Sequence, residues 1–149
     1  MSDPDAPCLP YWRLWTDATG ASRQTRCEMT QFELSSISPP AQPQWLGAKS
    51  HHAATTFVTI LPVGWIGDWH ENPAPQWIIP LSGRWFVESM DGKKVEMGAG
   101  EISFGSDQGS RSHDGRRGHR SGTVGDQPAV LMIVQFDSGP LPSPPCGFG

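Results

Sequence analysis

The chain has 149 residues, with 17 Gly, 15 Pro and a formal net charge of -4. That length suits one domain with a real core, and the acidic balance argues against nucleic acid or an anionic membrane as partner. No stretch reaches the roughly 18 apolar residues of a spanning helix, and none repeats with helical period over about a dozen residues. Gly and Pro punctuate the whole chain, which predicts many short strands joined by tight turns in an all-β fold.

Residues 1–10, MSDPDAPCLP, read as a flexible acidic lead without the charged and apolar regions of a signal peptide. Residues 11–136 read as a single domain and 137–149 as a Pro-rich tail. Within the domain, Tyr11 to Thr16 and Gln24 to Leu34 alternate as a strand pair around the turn at Asp17-Ala18-Thr19-Gly20. A polar Pro-rich loop follows, anchored at its far end by Trp45. Thr55 to Leu61 is β-branched and predicts a strand. Further strands are predicted at Asp68–His70, Gln76–Leu81, Arg84–Met90 and Lys93–Met97, the last two joined by an Asp91-Gly92 hairpin turn. Ile102–Phe104 is a short strand. A long polar segment leads from it to His119, and Ala129–Phe136 is the most apolar run. The expected order is a meander of eight to ten strands, the count of a jelly-roll barrel. Cys8, Cys27 and Cys146 include no CxxC pair, so they read as reduced thiols of a cytoplasmic protein. Cys8 and Cys146 sit near the two termini and could be neighbours, a pairing that the sequence leaves open.

The stretch GWIGDWHENPAPQWIIPLSG concentrates the chemistry. Asp68 and His70 are two apart, so on one strand they share a face. The ENPAP loop turns the chain, and Gln76 opens the next strand. A polar trio in an apolar layer is costly unless it is hydrogen-bonded or does chemistry. Alternation then turns Trp69 and Trp77 outward and Ile78 inward, where Ile78 and Trp85 would line an apolar pocket.

These residues resemble the cupin superfamily. Its first motif has the form G…H-x-H…E…G; here Gly64 lies upstream, Asp68-Trp69-His70 stands at H-x-H, Gln76 stands near the Glu, and Gly83 closes the pattern. The second motif begins P-x-G and ends in His; here Gly98-Ala99-Gly100 stands at the turn and His119 is the closing His. WIIPLSGRWFVE, MGAGEISFG and GHRSGTVGDQP look like small single-domain members. The resemblance covers roughly Thr55 to Phe136 and implies a jelly-roll β-barrel, a small-molecule pocket and a homodimer. Metal-binding members use three His and a Glu. Here Asp replaces one His and Gln replaces the Glu, so Asp68, His70, Gln76 and His119 are an unusual ligand set for Fe, Mn, Zn or Ni.

Two catalytic expectations stand beside a third from another class. The favoured one is an acid/base isomerase, cyclase, dehydratase or lyase acting on a carbonyl-bearing metabolite without a cofactor. His70 and His119 would exchange protons, Asp68 would set the state of His70, and Gln76 would orient a substrate oxygen. Ile78, Trp85, Phe104, Arg117 and Gln135 would contact substrate. The second is a metal-dependent dioxygenase or lyase using the same four residues as ligands. The third is a non-catalytic metabolite-binding barrel. The basic run around Arg111, Arg116 and Arg117 reads either as a solvated loop or as a lid that captures an anionic substrate. His51-His52 reads as a loop pair and Glu101 as a turn residue. No G-x-S-x-G elbow supports a hydrolase triad.

Overall fold

A computed structural model describes residues 5–137 and 141–148. The expectations for residues 1–4, 138–140 and 149 lie outside the described residues. The described strands are β1 (Leu9–Thr16), β2 (Ser22–Met29), β3 (Phe32–Ser35), β4 (Gln44–Gly47), β5 (Ala54–Leu61), β6 (Gln76–Ser82), β7 (Arg84–Ser89), β8 (Lys94–Met97), β9 (Ile102–Ser106), β10 (His119–Val124) and β11 (Ala129–Phe136). The architecture is all-β, with the two facing sheets of a jelly-roll barrel. A six-stranded sheet runs β2-β1-β9-β6-β11-β5 and a three-stranded sheet runs β10-β7-β8, while β3 and β4 form a separate hairpin. No helix among the described residues is long and apolar enough to cross a membrane.

Alternating side chains make the core. Leu14, Ile78, Leu131 and Ile133 of the larger sheet meet Trp85, Val87, Val95 and Met97 of the smaller one, all buried. Gln24 on β2 ties the sheets together by donating from Nε2 to the carbonyls of Val87 and Lys93, both at 3.0 Å. At the far edge β5 leaves Phe57, Val58 and Ile60 exposed.

Several expectations need correction. The order is not a meander, because β1 lies parallel to β9, Tyr11 opposite Ile102 through Trp15 opposite Ser106. The run from Gln24 to Leu34 is two strands, β2 and β3, broken at Thr30 and Gln31; β3 turns away to pair with β4. Asp68–His70 is not a strand; it is held by isolated bridges, Ile66 to Gly122 and His70 to His119. The polar segment before His119 ends in β10, whose Ser and Gly residues hid a strand that pairs with β7.

The thiols are also not all reduced. Cys27 and Cys146 form a disulfide, and Cys8 is free and exposed. The reduced-thiol argument for a cytoplasmic location therefore falls. The bridge pins the tail across the outer face of the larger sheet. Beside it the buried Arg13 donates from Nη1 to the carbonyl of Cys146 at 2.6 Å and from Nε to Ser106 Oγ at 3.1 Å. Its guanidinium also lies 5.3 Å and 5.9 Å from the ring centres of Phe104 and Phe148.

Because the bridge closes a loop of 119 residues, the chain-entropy argument expects its loss to cost about 2–5 kcal/mol. Denaturant unfolding of the wild type with and without reductant, and of Cys27→Ser/Cys146→Ser, should show that loss. A midpoint unmoved by reductant would contradict the pairing.

Candidate functional site

One end of the barrel carries a connected polar chain. Gln76 on β6 and Gln135 on β11 stand opposite each other in register, and Gln135 Nε2 donates to Gln76 Oε1 at 3.0 Å. Gln76 Nε2 donates to Asn72 Oδ1 at 2.7 Å. Asn72 donates from both its backbone N–H and Nδ2 to Asp107 Oδ1, each at 2.9 Å. The other oxygen of Asp107, Oδ2, lies 2.7 Å from Nδ1 of His119. Asp107 is completely buried and His119 nearly so, at 4% exposure.

Local sequence explains the convergence. His119 opens β10 and exchanges backbone hydrogen bonds with His70, N to O at 2.9 Å in both directions. Gly118 precedes it at φ 74°, and a Cβ there would lie 2.3 Å from the carbonyl oxygen of His70. Only glycine permits that approach. Gly105 plays a steric role on β9: a Cβ there would lie 2.5 Å from Asn72 Nδ2. A side chain at 105 would displace the amide that holds Asp107.

Burial raises the pKa of Asp107, but the hydrogen bond and charge of His119 and the two bonds from Asn72 outweigh it and hold the carboxyl below its usual range. An ionised Asp107 only accepts, so His119 carries its proton on Nδ1 and leaves Nε2 as the free ring position. The ring of His70 stands 4.6 Å from that of His119, centre to centre, tilted by 51°. Its Nδ1 lies 2.7 Å from the carbonyl oxygen of Asp68. A carbonyl cannot donate, so His70 too holds its proton on Nδ1 and turns Nε2 outward. His119 is buried and His70 is exposed.

The sequence expectations meet this geometry unevenly. His70, Gln76 and His119 do come together. Asp68 enters only through its backbone; its side chain is exposed, because the segment is bridged rather than paired as a strand. The carboxylate that orients a histidine is Asp107, within the polar run read as a loop. A buried aspartate in GSDQGS carries no sequence signature, so nothing local marked it as the partner of His119. Gln76 spends its amide on Asn72 and Gln135, so it positions the chain of hydrogen bonds rather than presenting a free amide. Gln135 does the same. Ile78 and Trp85 are packed in the inter-sheet core rather than in a pocket, and the indole N–H of Trp85 is buried without a hydrogen-bond partner. Phe104 points to the opposite face of the sheet, in contact with Trp77 and Phe148. Arg117 is exposed and donates to Glu71 Oε1 at 2.9 Å, which Ser110 Oγ also contacts at 2.8 Å. Burial raises the pKa of Glu71, but these bonds bring it below its usual range. The guanidinium groups of Arg116 and Arg120 lie 5.4 Å and 5.9 Å from the ring of Trp69.

The four expected metal ligands do not fit one ion. The amide of Gln76 is committed at both atoms and the carboxylate of Asp68 is exposed. Among the described residues no group of three or more His, Cys, Asp or Glu side chains is placed to hold a metal. Glu101, as expected, serves a turn, with Oε1 accepting from the Gly98 N–H at 3.1 Å.

No protein-family profile and no curated protein matches the chain. Among solved structures it is similar to a cupin protein from Bacteroides fragilis, at 18% identity, with 64% of this chain and 86% of that chain covered and a TM-score of 0.38.

Because its native pKa is depressed, Asp107 contributes stability above its unfolded pKa of about 3.9, and that contribution fades as pH falls through the native value. Asp107→Asn should cost about 2–3 kcal/mol at neutral pH, with the gap to wild type closing as pH drops below about 4. Denaturant unfolding across pH reads this directly; a gap constant with pH would show that the carboxylate is not ionised in the fold.

Proposed function

We propose that the chain is a small-molecule enzyme of acid/base type, an isomerase, cyclase or lyase acting on a carbonyl-bearing metabolite at the His70–His119 end of the barrel. The observation that supports it is the buried Asp107 held against His119, with a second imidazole, that of His70, tilted beside it and open to solvent. Asp107 fixes the tautomer of His119, so Nε2 is the atom that takes a proton from carbon next to the carbonyl. Asp107 then stabilises the imidazolium that forms. His70, in its doubly protonated form, gives its Nε2 proton to the substrate oxygen or the leaving group and keeps the Nδ1 proton on the Asp68 carbonyl. Arg117 and its basic neighbours offer an anionic substrate a point of entry. Gln76, Asn72 and Gln135 are positioning residues, each holding the next.

Proton abstraction leaves a mark even without net turnover. Incubated in D2O with a panel of enolisable ketones, aldehydes and 2-oxo acids, the protein should exchange the α-hydrogen of at least one, as followed by proton NMR. His119→Gln should lose this by about a hundredfold or more. Asp107→Asn should lose it more mildly and shift its pH profile. No exchange above background, or exchange undiminished in His119→Gln, would sink the reading.

A further inference from the structure

The larger sheet has a second concave site on its outer face, away from the histidines. A cavity of about 480 Å³ opens there between the β3–β4 hairpin and the C-terminal tail. Its floor is aromatic: Trp77 from β6, Phe104 from β9, Phe136 from β11 and Phe148 from the tail. These rings are arranged edge-on or tilted, with Trp77 to Phe104 and Trp77 to Phe148 both at 4.9 Å, and Phe104 to Phe148 at 4.8 Å. The volume lies in the range of pockets that bury one small organic molecule.

The one formally charged side chain of the wall among the described residues, Lys49, is positive. Lys49 and His52 line the cavity and are exposed, and no Asp or Glu among the described residues does. Lys49 has no ion-pair partner among the described residues. His52 stands edge-on to Phe136, with ring centres 6.4 Å apart, which places its polar edge beside the aromatic floor. Behind the floor the buried guanidinium of Arg13 is held by two backbone carbonyls and a serine hydroxyl, none of them a carboxylate. An aromatic floor with the Lys49 ammonium at its mouth and the Arg13 guanidinium behind it suits a flat apolar body carrying an anionic group.

We propose that this outer-face cavity binds an aromatic carboxylate, its ring system packed on Trp77, Phe136 and Phe148, with the buried Phe104 backing them, and its carboxylate at Lys49 and His52. The tail wall is present because the Cys27–Cys146 disulfide and Arg13 hold it. The site shares no residue with the proton-transfer site and does not depend on that reading.

The test is titration calorimetry of the intact, oxidised protein with 2-naphthoate and with 2-naphthylmethanol, which keeps the ring and lacks the charge. The proposal expects saturable one-to-one binding of the naphthoate, with the alcohol about tenfold weaker. Lys49→Met, an exposed change that leaves the fold untouched, should remove that difference. Phe148→Ala should weaken both ligands. Amide NMR shifts on naphthoate addition should centre on Phe32, Trp77, Phe104 and Phe136. No saturable binding, equal affinity for the alcohol, a charge preference that survives Lys49→Met, or shifts centred on His70 and His119 would each overturn the proposal.

Discussion

The end of the barrel depends on one buried charge. A carboxylate removed from water is costly unless its lone pairs are met by good donors. Asp107 meets that condition with the backbone and side chain of Asn72 on one oxygen and His119 on the other. Asn72 is held in turn by Gln76, and Gln76 by Gln135, so the requirement of one carboxylate propagates across two strands of the larger sheet. Removing any member leaves a buried polar atom without its partner, which is worth about 1–3 kcal/mol each. The arrangement is therefore stiff, and it holds a buried imidazole, His119, with a defined tautomer beside the exposed ring of His70.

The two faces of the larger sheet divide the labour. Inward, alternation supplies an apolar core that is filled with side chains. Outward, the same alternation supplies Tyr11, Arg13, Trp77, Phe104 and Phe136, which need cover. The tail provides it, stapled by the disulfide and by Arg13. This explains why a chain so rich in Trp and Phe does not simply bury them between its sheets. It also explains how an apolar cavity large enough for a small organic ligand forms outside the barrel, on the outer face of the larger sheet.

Much of the fold was legible in the sequence. Runs such as TTFVTIL and AVLMIVQF, and the Asp91-Gly92 turn, are local signals, and the strands they predict are present. The parallel pairing of β1 with β9 was not legible, because nothing local in YWRLWT states which distant strand it joins. β10 was missed because HRSGTV has little β-branched content and is held by β7 across the barrel. Of the site, His70, Gln76 and His119 could be placed by spacing and by resemblance to the cupins. Asp107 could not, since its role comes from a tertiary contact with His119 and from Asn72 in a Pro-rich turn. The Asp68 expectation failed for the same kind of reason. Two residues share a face only if both lie in a strand, and here the backbone of Asp68, not its carboxylate, meets His70. The disulfide between Cys27 and Cys146 was hidden because loop closure is set by where the tail folds back.

The measurement that goes most directly to the buried Asp107–His119 pair is a long-range proton–nitrogen NMR correlation on histidine-labelled protein at alkaline pH. It reads which ring nitrogen carries hydrogen. The structure requires the proton of His119 on Nδ1, protected from solvent exchange, with Nε2 bare. A His119 ring protonated at Nε2, or one whose nitrogen proton exchanges freely with water, would mean that Asp107 does not hold it and that the proton-transfer reading has lost its base.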